Sequence, residues 1–150
     1  MSQLMALSIV TGVLCGVWAQ AAPVIGLMTW AGFAGCTTYF ASGKHGLEGM
    51  TVTIRQNLFG VICGMAIILL SVNFPFPGDQ IVYSGFITFV MCYAGKFEIL
   101  SFIPGTFVGC FSTFASDGQL TVLVPALIIG ALLGVACDLG GDVFHRQFQK

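Results

Sequence analysis

Along this chain polar residues arrive in short clusters, and between them the sequence stays apolar for most of a bilayer's width at a time. Reading for stretches near the roughly 20 apolar residues that carry a helix across a membrane, we mark spans over 4–22, 24–43, 51–72, 80–95, 100–116 and 120–141. The punctuation agrees: Pro23 follows the first run, a charged turn fills Gly43 to Gly49, and "NFPFPGD" from Asn73 to Asp79 concentrates helix breakers. The pattern predicts an all-α integral membrane protein, one membrane domain over 1–150, with six transmembrane helices joined by short connections.

Composition sharpens this. Hydrophobic residues make up 57% of the chain and charged residues 7%, with a mean hydropathy of +0.96, whereas a soluble domain is about one quarter charged. A net charge of -1 gives no sign of a nucleic-acid partner, which usually demands a basic face. A secretory signal peptide is the competing reading of Leu4 to Ala19, with Ala19-Gln20-Ala21 as its cleavage site; the preceding "MSQ" lacks the Lys or Arg such a signal carries, so we read a membrane span instead.

If the spans alternate, all five basic residues fall on one side: Lys44 and Arg55 around the turn after span two, Lys96 after span four, Arg146 and Lys150 after span six. The opposite side holds Asp79 and Asp117. By the positive-inside rule both termini are cytoplasmic.

The chain also repeats itself. "FAGCTTYFAS" at Phe33 to Ser42 returns as "FVGCFSTFAS" at Phe107 to Ser116, and the same offset pairs "LFGVICG" (Leu58 to Gly64) with "LLGVACD" (Leu132 to Asp138). The first spans match poorly, and Cys15 corresponds to Cys92 only after a shift of three. The repeats cover about 1–74 and 75–150. Three spans per unit send the second copy in from the opposite face, so the pattern predicts two inverted-topology three-helix repeats, an arrangement in which transporters place a passage at the midplane between halves.

The repeated phrase supplies the candidate path. Gly35, Thr38 and Ser42 share one helix face, as do Gly109, Ser112 and Ser116, with Phe40 and Phe114 on adjoining faces. Small and hydroxylated residues also pack ordinary membrane helices, and that reading stays open. Pro104 and Gly105 either break span five at depth or open its first turn. Arg55 with Asp138 or Glu98 forms a candidate ion pair on the cytoplasmic side, since a lone charge in lipid seeks a partner. Gln56 and Asn57 have no polar counterparts in the second half, where Gly130 and Ala131 stand; they mark a one-sided solute contact or polar glue between helices.

The histidines, His45 and His145, sit at cytoplasmic ends, and no ionisable residue occupies the centre of a span. That favours passive permeation over proton coupling. Nucleotide loops, HExxH and Ser-His-Asp sets are missing, so no enzyme is expected. All six cysteines lie within apolar runs, which argues against disulfides; a thiolate site built across the repeats is weighed behind packing, and neither metal nor cofactor is expected.

"TWAGFAGCTTYFA" and "LSFIPGTFVGCFSTFA" carry a resemblance: over nearly its whole length the chain resembles the YcdZ-like family of small bacterial inner-membrane proteins. The resemblance implies a six-span protein of the bacterial inner membrane and assigns no substrate or functional residue. The residues and the resemblance together lead to a homo-oligomeric channel or facilitator for a small neutral solute or weak acid, with the solute, the lipid bilayer and further copies of the chain as partners. The alternatives are a structural or accessory subunit without a pore and an ion-coupled secondary transporter.

Overall fold

A computed structural model describes residues 2–148, which places Lys150 outside the described residues. Those residues form α1 (Gln3–Val24), α2 (Thr29–Ala41), α3 (Gly46–Asn73), α4 (Asp79–Ala94), a short 3-10 turn (Glu98–Leu100), α5 (Ile103–Ala115) and α6 (Leu120–Gln147). The fold is all-helical. Three helices, α1, α3 and α6, are long and apolar enough to cross a membrane.

Helices α2 and α5 have 13 residues each, about 20 Å at 1.5 Å per residue, and are shorter than the apolar runs 24–43 and 100–116 that contain them. The difference lies in the connections. Gly26 turns left-handed at φ 73° and Met28 is extended before α2, while the 3-10 turn and Phe102 precede α5. These residues are apolar without being helical, so hydropathy alone overruns the helix. Pro104 occupies the first turn of α5, where its missing N–H is one the helix would leave unpaired anyway. Ser2 caps α1, its hydroxyl accepting from the Met5 N–H at 3.2 Å.

The short helices pack against the long ones: α2 chiefly on α6, and α5 chiefly on α3. Their seams are built from glycines, which let backbones meet where lipid supplies no hydrophobic drive for association. A Cβ on Gly35 would strike the Leu127 carbonyl and crowd Ala131, and one on Gly109 would strike the Asn57 carbonyl. Those two contacts are the same pair displaced by 74 positions. So are Gly32 against Gly130 and Thr106 against Gln56, and so are Tyr39 against Asp138 and Thr113 against Gly64.

One apolar core gathers Ala31, Val61, Leu123, Ala126 and Leu127, and a second gathers Cys63, Ile67, Met91 and Cys110. Outward faces of α1 and α4 stay apolar, with Leu4, Val13, Val17, Ile81, Phe86 and Phe89 each more than half exposed. One end of the bundle collects the start of α1, the α2–α3 turn and the end of α6: Gln3 Nε2 donates to Asp142 Oδ1 at 3.2 Å, and His45 Nδ1 lies 3.1 Å from Asp138 Oδ2. The α4–α5 connection lies at this end too, facing Lys44 across a cavity.

Candidate functional site: a vestibule above a buried polar column

The first turns of α3 carry Glu48, Val52, Arg55 and Gln56 at spacings that fall on one helix face. They form one wall of a cavity of about 460 Å³. Ser42 and Lys44 continue that wall, and Glu98, Ile99 and Ser101 stand opposite. At the rim, Lys44 Nζ and Glu48 Oε1 pair at 2.9 Å. The Glu48 carboxylate, accepting from the ammonium, raises the Lys44 pKa above its ordinary value. Both side chains are solvated, so the pair shapes the mouth more than it stabilises the fold.

Arg55 lies deeper. Its Nε is buried without a hydrogen-bond partner, and among the described residues it forms no ion pair. The expected pairing of Arg55 with Asp138 is therefore corrected: the Asp138 carboxylate is taken by the Tyr39 hydroxyl at 2.5 Å, by His45 at 3.1 Å and by the Gly46 N–H at 3.4 Å. Glu98 shares the cavity with Arg55 but does not reach ion-pair distance. The reason is placement: Asp138, on α6, sits against α2 at the Tyr39 level, away from the wall that holds Arg55.

Gln56 forms the floor. It is fully buried, its Oε1 accepting from Thr106 Oγ1 at 2.8 Å and its Nε2 donating to the Ile99 carbonyl at 3.2 Å. The buried column continues from it through Asn57, the next residue, to Thr38, each 1% exposed; Thr53 on α3 and Ser112 on α5 are fully buried too. The Thr38 hydroxyl lies 3.0 Å from both the Ala34 carbonyl and the Asn57 amide, and it has one proton to give. Either orientation of the Asn57 amide leaves one of its two atoms without a partner. The Thr53 and Ser112 hydroxyls are buried and unpartnered as well. An unpaired buried polar group costs about 1–3 kcal/mol, so a column of them in an apolar bundle is a feature that packing alone would select against.

The structure separates the residues of the repeated phrase. Thr38 enters the buried column, Ser112 is buried on α5 without a hydrogen-bond partner, and Ser42 lines the vestibule while donating to the Tyr39 carbonyl at 2.7 Å. Ser116 is buried at the end of α5 and donates to the Thr113 carbonyl at 3.0 Å. Gly35 and Gly109 are closed packing contacts. Phe40 and Phe114, 39% and 43% exposed, turn to the outer surface. Tyr39 escaped sequence reasoning, although a signal existed: the repeat breaks at Tyr39/Thr113 and at Asp138/Gly64, and those two breaks are contact partners.

The two bulky polar contacts, Tyr39 with Asp138 and Gln56 with Thr106, both lie toward the end that bears the vestibule. Their small counterparts, Thr113 with Gly64 and Gly32 with Gly130, lie toward the other. The site is thus a polar opening at one end of the bundle above tightly closed glycine seams.

The family described as "Protein of unknown function (DUF1097)" matches residues 8–142, and the chain belongs to it. The chain is similar to the inner membrane protein YcdZ of Escherichia coli (strain K12), at 39% identity over 142 residues, which cover 94% of this chain and 87% of that protein. It is 37% identical to the inner membrane protein YcdZ of Salmonella typhimurium, over 94% of this chain and 89% of that one. The uncharacterized protein YahC of Escherichia coli (strain K12) is 28% identical over 162 aligned positions, covering 100% of this chain and 98% of its own length. No solved structure matches.

Proposed function

We propose that the protein is a facilitator for a small neutral solute or weak acid, embedded in the bacterial inner membrane, whose substrate enters through the Arg55 vestibule. The observation that carries this reading is the continuity from a 460 Å³ cavity to the buried column: Gln56 belongs to both, and Arg55 above it presents a buried, unpartnered Nε. A guanidinium with free donors suits a carboxylate or a polarised carbonyl, and the Asn57 amide beside Gln56, with one atom unpartnered, offers a solute a further hydrogen bond in place of water.

The same reading takes the chain as two inverted three-helix repeats crossing the membrane six times, with the vestibule and both termini cytoplasmic. Three seam contacts that recur at the 74-residue offset support the repeat, and the gathering of Lys44, Arg55 and the α6 terminus at one end supports the orientation. The name inner membrane protein, borne by both YcdZ relatives, supports the location. On this account the structure is the conformation open to the cytoplasm, and the glycine seams are the surfaces along which the halves shift to open the other side.

The closed seams also favour a second reading, a structural subunit with no passage. Proteoliposomes separate the two: a facilitator accelerates the flux of one solute in a panel of water, glycerol, urea, short amides and short-chain acids, and Gln56→Leu removes that acceleration. A structural subunit changes no flux.

A further inference from the structure

We propose that Cys15, Cys36 and Cys137 form a three-sulfur site for Cu(I) in the membrane-embedded core. The inference is independent of the solute path.

Three helices bring the thiols together. Cys15 lies midway along α1, Cys36 midway along α2 and Cys137 on α6, and their sulfurs all lie within 4.8 Å of one another. Metal–sulfur bonds of about 2.3 Å in a trigonal plane set the sulfurs about 4 Å apart, so closing this site takes rotamer adjustment and no backbone movement. Cys36 and Cys137 are buried, and Cys15 is half-buried.

The donor set selects the ion. Thiolates favour soft cations. Zn(II) in a protein site is almost always four-coordinate, and no fourth His, Cys, Asp or Glu joins this group among the described residues. Cysteine binds a metal as the thiolate, so loading the site releases the protons of the ligating thiols; Zn(II) with these three ligands would need a water as its fourth, which an apolar core does not supply. One turn before Cys15 on the same face of α1, the Thr11 hydroxyl is buried beside the Cys137 thiol.

The repeat supplies an internal comparison. Displaced by 74 positions, Cys36 and Cys137 become Cys110 and Cys63, which pack in one core cluster. The third cysteine does not follow. Cys92 is exposed on α4, and Met91, 1% exposed, fills the interior instead. If the thiols were only small fillers, nothing would distinguish the two sets; as a ligand set, only the first is complete.

The test is titration of the reduced, purified protein with Cu(I) under argon against bicinchoninate, a chromophoric Cu(I) chelator. The wild type is expected to withdraw one Cu(I), release the protons of the ligating thiols, and give an X-ray absorption spectrum fitted by three sulfur neighbours. Loss of even an outer-shell partner weakens metal sites about 10–100-fold, so Cys15→Ser, a change at a half-buried position that spares the core, is expected to weaken binding at least that much. Cys63→Ala with Cys110→Ala is expected to leave it unchanged. The proposal is overturned if the folded wild type withdraws no Cu(I), or if Cys15→Ser binds as the wild type does, or if the Cys63/Cys110 variant is the one that fails. Solute flux through Cys15→Ser should match the wild type, so failure here leaves the facilitator reading untouched.

Discussion

Tyr39 donates its hydroxyl to Asp138 Oδ2 at 2.5 Å, joining positions 99 residues apart, and the repeat-related positions, Thr113 and Gly64, meet as a small side chain against a bare backbone. One contact is thus written twice, once large and charged and once small. Removing the Tyr39 hydroxyl leaves a carboxylate that is 8% exposed with only His45 and the Gly46 N–H. Hydrogen bonds to charged groups contribute about 1.5–3 kcal/mol, so Tyr39→Phe should destabilise the protein by about 2 kcal/mol. A double-mutant cycle with Asp138→Asn, read by thermal unfolding in detergent, should show coupling of at least about 1 kcal/mol; additive effects would mean the bond contributes nothing.

Glycine seams make a second expectation. Adding a methyl group to a closed contact costs about 1–3 kcal/mol. Gly35→Ala and Gly109→Ala should each lower the melting temperature, whereas Gly12→Ala and Gly85→Ala, where nothing lies within 4 Å of the added carbon, should be neutral. Equal tolerance at all four positions would show that α2–α6 and α3–α5 are not packed through these residues.

Charge placement gives a third. Fusions of alkaline phosphatase, active only outside the cytoplasm, should be inactive after Gly95 and after Gln147 and active after Pro77. Phosphatase activity at both Gly95 and Pro77 fusions would break the alternation that six crossings would require.

Arg55 yields a fourth. If its free donors recruit the solute, Arg55→Gln should raise the half-saturating concentration about tenfold, the loss of roughly 1.4 kcal/mol of binding, with a smaller change in maximal flux. Saturation unchanged in a folded Arg55→Gln variant would remove the guanidinium from the entry route.

Much of this architecture is legible in the residues. The helices α3 and α6 follow from hydropathy, and the offset of 74 read from "FAGCTTYFAS" and "FVGCFSTFAS" reappears in the seam contacts. The helix ends are not legible, because Leu27, Met28, Ile99 and Phe102 are as apolar as the helices beside them and nothing in their hydropathy records the turn at Gly26. The polarity of Gln56 and Asn57 was visible; their partners were not, since Thr106 stands 50 positions away on another helix. Charge and depth alone match Arg55 to Asp138 or Glu98. Which face of α6 carries Asp138, and that a tyrosine faces it, is a matter of helix rotation that charge does not encode.

The most direct measurement of the central claim is stopped-flow light scattering on liposomes holding the wild-type protein, Gln56→Leu or no protein, challenged with the solute panel. The expected result is accelerated entry of one small neutral solute or weak acid in the wild type only, with Gln56→Leu folded and slow. Flux through a folded, inserted wild type that equals the protein-free rate for every solute would contradict the account and leave the polar column as helix glue.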